Sequence, residues 1–554
     1  MNLTNRLLLL IILSVAINAE SMNEQESYNI LKNGLEPFCE TLHINNIIKS
    51  NIQDSNKIKN SKLDEIDIEI YQNIFHIKNN SLDQSYNTEH FRFFYTLEGN
   101  DAVANIDYVS NMGNIFEEVW SFYIDSMGFE PPPMNTENLY EINIEYLPIN
   151  WFGYAIALGS GASCDGYIRM RNSYSNFNDN TEEENIQVTA AHEFFHAIQF
   201  GYNCYSIRLN SKDIWFMEAT AVWGEDEMYN DINDLYRYMP NWFSQPQKSI
   251  DNQNGTFQYG TFILFQYIDE HLGGPKMIKD CWEQSKLLAH PAKDVAFEAI
   301  DMALEPYNSS FEDAYLKMRI ANRIMSESDK AGIYKYNEAE GYRSVIDTLP
   351  EELIFFERGN IETIQNQSLP IYGSVYYSLQ TESPTRVLIM NLDGVAHLSS
   401  VIKYQGKKEW TIRSGTELNI DPGLEIEWIS LIVSSLASEQ MNWDYRIQLS
   451  DGYSEDLTSF SPYPNPSFGR PVSLDMLIIN GQTIYTTIFD LMGRKIWETT
   501  NTVTEPSTLN LSWNGLNLSG NKVSNGIYFI LVEGDQYKKK HKIIYLKNND
   551  NQIR

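Results

Sequence analysis

The chain has 554 residues, of which 42% are hydrophobic and 13% aromatic, and it carries 74 acidic against 41 basic side chains for a net charge of −33. That length points to about three or four domains, and the apolar share excludes a mostly disordered chain. The charge argues against nucleic acid or anionic membrane as a partner, because both need a basic surface, while it leaves surface calcium as a structural candidate.

Residues 1-19 read as a signal peptide. Arg6 gives a positive start, Leu7 to Ala16 form an apolar run too short to span a bilayer, and cleavage fits after Ala16 or Ala19. A membrane anchor is the alternative. No later stretch is long and apolar enough for a transmembrane helix, so no integral span is expected after signal removal. Residues 20-85 form an N-terminal arm or a pro-segment. Of the four cysteines, Cys39, Cys164, Cys204 and Cys281, the pair Cys164 and Cys204 flanks the histidine motif described below and is the first choice for one disulfide, with free buried thiols as the alternative.

Residues 86-343 carry the chemistry. His90 to Tyr95 reads as a strand, Asp107 to Met127 as a helix ended before Pro131-Pro132-Pro133, and Glu141 to Tyr146 as a strand with one polar face. Thr181 and Glu184 fit a capping box that opens a helix from about Glu182 to Phe200, with Gly201 and Asn203 as its stop. That helix holds His192-Glu193-Phe194-Phe195-His196. Positions i and i+4 share one helix face, so both imidazoles can reach one metal ion and Glu193 sits beside them as a base. With nine histidines in the chain, chance produces this pattern in on the order of one such chain in a hundred. Two packed core histidines are the bland alternative.

A second buried helix follows at Trp215 to Trp223 with one carboxylate, Glu218, in apolar company. A lone buried carboxylate is costly unless paired or metal-bound, and two histidines still need a third protein ligand for zinc. Glu218 is therefore the expected third ligand. Asp213, Glu225, Asp226 and Glu227 are fallback ligands, although at the ends of that helix solvated charge is the ordinary explanation for them. Helical stretches from Tyr259 to Glu270 and from Met277 to Trp282 come next, and Tyr259 is a candidate to stabilise an oxyanion or simply to pack. His271 and His290 read as surface residues.

From about Ser344 short strand-like runs separated by turn residues imply a β-sandwich module over 344-455. Ser461 to Pro466 makes a Pro-rich linker, and the final stretch, 456-554, is strand-like again, with the basic run Lys538 to Lys542.

Two resemblances enter here. The stretches His90 to Tyr95, Phe129 to Pro132, Phe152-Gly153-Tyr154, His192 to Tyr202 and Trp215 to Ala221 resemble a family of secreted bacterial metalloproteases first described from myxobacterial sequences. More widely they are similar to the gluzincins. The resemblance implies a mainly helical zincin-like catalytic domain, zinc held by His192, His196 and Glu218, and Glu193 as the base. The usual acidic signature around the third ligand of thermolysin is absent. Tyr463-Pro464-Asn465-Pro466, Asp490 to Lys495, Trp513-Asn514-Gly515 and Asn525 to Phe529 resemble the sorting domain of type IX (Por) secretion. That implies an immunoglobulin-like fold, dealings with the type IX machinery, and passage through the periplasm of a Gram-negative bacterium to the outer surface or beyond.

The expected architecture is thus multidomain α+β, a zincin-like domain followed by two β-sandwich modules. The expected activity is that of a secreted zinc metalloendopeptidase, hydrolysing protein or peptide substrates through a zinc-activated water. A cell-surface adhesin with an inactive or structural metal site is the alternative from another class, and a zinc hydrolase of another amide is a third reading.

Overall fold

The computed structural model describes residues 82 to 547 apart from short internal segments, so the signal peptide, most of the arm and Cys39 lie outside the described residues. The chain separates into two compact units, one running to residue 350 and the other taking residues 328–332 and 351 onward. The described residues hold both helices and several sheets, with the α-helices all before Glu351 and only strands from there on.

The first unit contains β1 (Gln84–Asn87), β2 (Phe91–Tyr95), α1 (Ile106–Trp120), β3 (Tyr140–Glu145), β4 (Gly153–Leu158) and β5 (Asp165–Arg171). They are followed by α2 (Glu182–Asn203), α3 (Ile214–Met228), α4 (Met239–Phe243), α5 (Phe257–Gly260) and α6 (Phe262–Leu272). Last come α7 (Pro275–Leu288), α8 (Ala296–Leu304), α9 (Phe311–Ile324) and α10 (Ala339–Val345). The five strands form one sheet in the order β1-β2-β3-β5-β4. β2, β3 and β5 are parallel, with α1 in the crossover from β2 to β3, while β4 folds back antiparallel to β5 at the sheet edge.

The local reasons are plain in α2. Thr181 Oγ1 accepts from the Glu184 backbone N–H and the Glu184 carboxylate accepts from the Thr181 N–H, which closes the expected capping box. Phe194 packs its ring on Phe91, Tyr140 and Trp120, and Phe195 packs on Tyr123, Phe129 and Trp223. Each buried phenyl group contributes roughly 1.5–3 kcal/mol. The two residues between the histidines thus seat the helix on its surroundings.

Gly201 does not end α2, which continues to Asn203. A Cβ at Gly201 would lie 3.1 Å from Pro133 Cδ, so this glycine admits the proline run against the helix rather than breaking it. The helix expected from Tyr259 is divided at Thr261 into α5 and α6. Cys164, just before β5, is disulfide-bonded to Cys204 at the end of α2, while Cys281 is a buried free thiol.

In the second unit the strands from Glu351 to Asp451 form a five-stranded and a four-stranded sheet. They share one core that includes Val387, Leu398, Leu431 and Ile447. The strands from Leu457 to Tyr545 form a three-stranded and a four-stranded sheet around Ile484, Ile488, Trp513 and Ile543. Alternation of apolar and polar residues puts these side chains inward. The strand texture begins later than expected, at Glu351, because 339–345 are helical.

Candidate metal centre

α2 and α3 lie side by side and each turns polar groups into their shared, dry interior. His192 and His196 sit at i and i+4 of α2, with ring centroids 4.8 Å apart, and Glu218 comes from α3. Glu218 Oε2 lies 3.3 Å from His192 Nε2 and 3.4 Å from His196 Nε2. All three residues are buried, and among the described residues no other three His, Cys, Asp or Glu donors converge in this way.

The spacing tests whether zinc fits. A tetrahedral site with bonds of about 2.0–2.1 Å has donor-to-donor edges of about 3.3–3.4 Å. Both separations from Glu218 match that edge. The donor set, two imidazole nitrogens and one carboxylate oxygen, is the type found in catalytic zinc sites, which leave one position open. The donor types and these two edges suit the metal, and all three donor atoms lie within 4.8 Å of one another. Burial pushes the Glu218 carboxyl up, but His196 and His192 more than reverse this and hold it at about 2, so it is an anion.

Glu193 is buried on the same helix, next to the start of β4: a Cβ built on Gly153 would be 3.4 Å from its Cγ. Tyr259 is also brought in, its ring 6.3 Å from that of His192 and stacked on Tyr238.

The fallback ligands go elsewhere. Asp213 accepts from the backbone N–H groups of Val295 and Ala296 at 2.9–3.0 Å and so caps α8. Glu227 pairs with Asp269, and burial together with that neighbour pushes its carboxyl up. Burial and the carboxylates Glu338, Glu225 and Glu270 push Asp226 up as well. Asp213 stands before the first turn of α3 and Asp226 and Glu227 in its last turn, and each is engaged with groups outside the His192–His196–Glu218 cluster. Glu225 stands apart from them, with its Oε2 3.6 Å from His192 Nδ1 on the side away from Glu218. His290 is exposed and His271, half-buried, faces the Lys335 carbonyl.

Two neighbours were not foreseen from sequence. Gly153 leaves the space beside Glu193. Gln199 lies three residues beyond His196 with its Oε1 2.7 Å from His196 Nδ1. The i, i+3 spacing was a usable signal for Gln199.

Residues 48–326 match a family of unknown function, DUF6055. The chain belongs to that family. Residues 461–546 match a secretion system C-terminal sorting domain. This DUF6055 protein is therefore addressed for type IX export to the cell surface or the outside. Among the described residues no helix is long and apolar enough to cross a membrane. No curated protein sequence matches the chain.

Among solved structures, it is similar to PorZ, a surface component of the type-IX secretion system of Porphyromonas gingivalis, at 20% identity over 18% of this chain and 14% of that one, with a TM-score of 0.13. It is also similar to dimeric latent PorU of the same organism at 14% identity (34% of this chain, 20% of that one, TM-score 0.16). A β-glucuronidase of Bacteroides uniformis matches at 12% identity (32% and 26%, TM-score 0.15). The chain spans 14% to 26% of those three proteins, and likenesses this partial assign it neither fold nor activity.

Proposed function

We propose that this protein is a secreted zinc metalloendopeptidase with a zincin-like catalytic domain, carried ahead of two immunoglobulin-like β-sandwiches. The observation that supports it most is the buried triad His192, His196 and Glu218, with its tetrahedral-edge spacings of 3.3 and 3.4 Å and Glu193 on the same helix.

In this reading His192 and His196 bind as neutral imidazoles and Glu218 supplies the one ligand charge. Zinc held there supplies a Lewis acid that brings the pKa of water toward neutrality and polarises the scissile carbonyl. Glu193 accepts the proton of the attacking water as the new carbon–oxygen bond forms. It then delivers that proton to the amide nitrogen as the carbon–nitrogen bond breaks. Tyr259, on the His192 side, is the candidate donor to the developing oxyanion. Burial of His192, Glu193, His196 and Glu218 keeps their interactions strong, because little water is present to screen them.

Purified full-length protein is expected to carry one equivalent of zinc and to hydrolyse casein. Glu193→Gln is expected to retain the zinc and to lose activity by about 10²–10⁴-fold, the usual worth of a positioned proton carrier. Absence of stoichiometric zinc, or full casein hydrolysis by Glu193→Gln, would overturn the reading.

A further inference from the structure

Two hydrogen-bonding facts fix the orientation of the Gln199 side chain. Its Nε2 lies 3.0 Å from the Met217 carbonyl oxygen and 3.0 Å from Thr220 Oγ1. A carbonyl oxygen only accepts, so the NH2 end of the amide must face α3. The oxygen end then faces His196 Nδ1 at 2.7 Å, and an amide oxygen also only accepts. His196 Nδ1 must therefore carry the hydrogen. The other ring nitrogen, Nε2, is the one turned toward Glu218 and is the nitrogen left for a metal ion.

Thr220 is itself held. Its hydroxyl donates to the Phe216 carbonyl at 2.7 Å, leaving its lone pairs for Gln199 Nε2 and for Trp282 Nε1 at 3.2 Å. Gln199, Thr220 and His196 are all at least 95% buried, so no water competes for these bonds. The relay runs from Trp282 on α7 through Thr220 on α3 to Gln199 and His196 on α2.

We infer that Gln199, braced by Thr220 and the Met217 carbonyl, is a positioning residue that fixes His196 in its Nδ1–H form and so sets the metal-binding nitrogen before any metal arrives. The inference rests on the metal-centre reading for its purpose, but the tautomer stands on hydrogen bonding alone. An outer partner that orients a ligating histidine is typically worth 10–100-fold in metal affinity.

The test uses the full-length chain with ¹⁵N-histidine, stripped of metal by a chelator. The nitrogen shifts of His196, assigned by their loss in His196→Gln, are expected to show a protonated Nδ1. Zinc affinity is measured in parallel by competition with a chromophoric chelator. Gln199→Leu is expected to bind zinc about 10–100-fold more weakly than wild type. Thr220→Val is expected to shift affinity in the same direction by less, and Thr220→Ser, which keeps the hydroxyl, to restore it. This second pair decides the matter if Gln199→Leu does not fold. An unprotonated Nδ1 in the metal-free protein overturns the inference, as does wild-type affinity in both Gln199→Leu and Thr220→Val. Failure of the wild-type chain to bind zinc instead overturns the proposed function, while the nitrogen shifts still decide the tautomer.

Discussion

Glu193 owes its place partly to a residue that has no side chain. A Cβ on Gly153 would sit 2.7 Å from Thr189 Cγ2, 3.1 Å from the Arg169 carbonyl oxygen and 3.4 Å from Glu193 Cγ. Gly153→Ala is therefore expected to destabilise the protein by about 1–3 kcal/mol through overpacking. Thr189→Ser removes the closest atom and keeps the hydroxyl that donates to the Asn185 carbonyl at 2.6 Å. The double variant should recover much of the loss, read as the urea midpoint of the first transition. An unchanged midpoint in Gly153→Ala would show that β4 yields freely. The histidine pair was legible in sequence because helical spacing is a local rule. Gly153 was not, since its neighbour belongs to another element and only packing brings them together.

Helix boundaries show the same division. The start of α2 was readable from Thr181 and Glu184, which satisfy each other's backbone groups within one turn. Its end was misread at Gly201, because a glycine admits both a stop and a close contact. Asp213 was misread for a related reason: its partners, Val295 and Ala296, lie far along the chain. Burial pushes the Asp213 carboxyl up to about 6 from an ordinary 3.8, although the N–H groups of Val295 and Ala296 pull it down. A raised folded value means that the stabilising contribution is complete below about pH 4 and is lost as pH rises through about 6. The stability of wild type relative to Asp213→Asn should thus fall by roughly 3 kcal/mol between pH 4 and 7. Thermal melts of the two metal-free proteins across that range check it, and parallel pH profiles would refute it.

At the scale of the whole molecule, the catalytic reading and the address lie in different compact units. A chain cut before Ser461 is expected to keep its zinc and its casein hydrolysis and to lose export, remaining cell-associated where the full chain reaches the surface or medium. Fractionation followed by activity measurement separates the two outcomes. The sorting domain was legible because its turn and strand motifs occur in order within one continuous stretch. The histidine pair, the capping box and the buried third carboxylate were legible because each depends on spacing along a helix or on the cost of stranding a charge. Convergence was not legible. That Glu218 lies 3.3–3.4 Å from both imidazoles, that Gln199 Nε2 is held by Met217 and Thr220, and that Gly153 clears room for Glu193 all depend on distances between separate elements. Packing sets those distances through many weak contacts at once, and no local pattern in the chain encodes their sum.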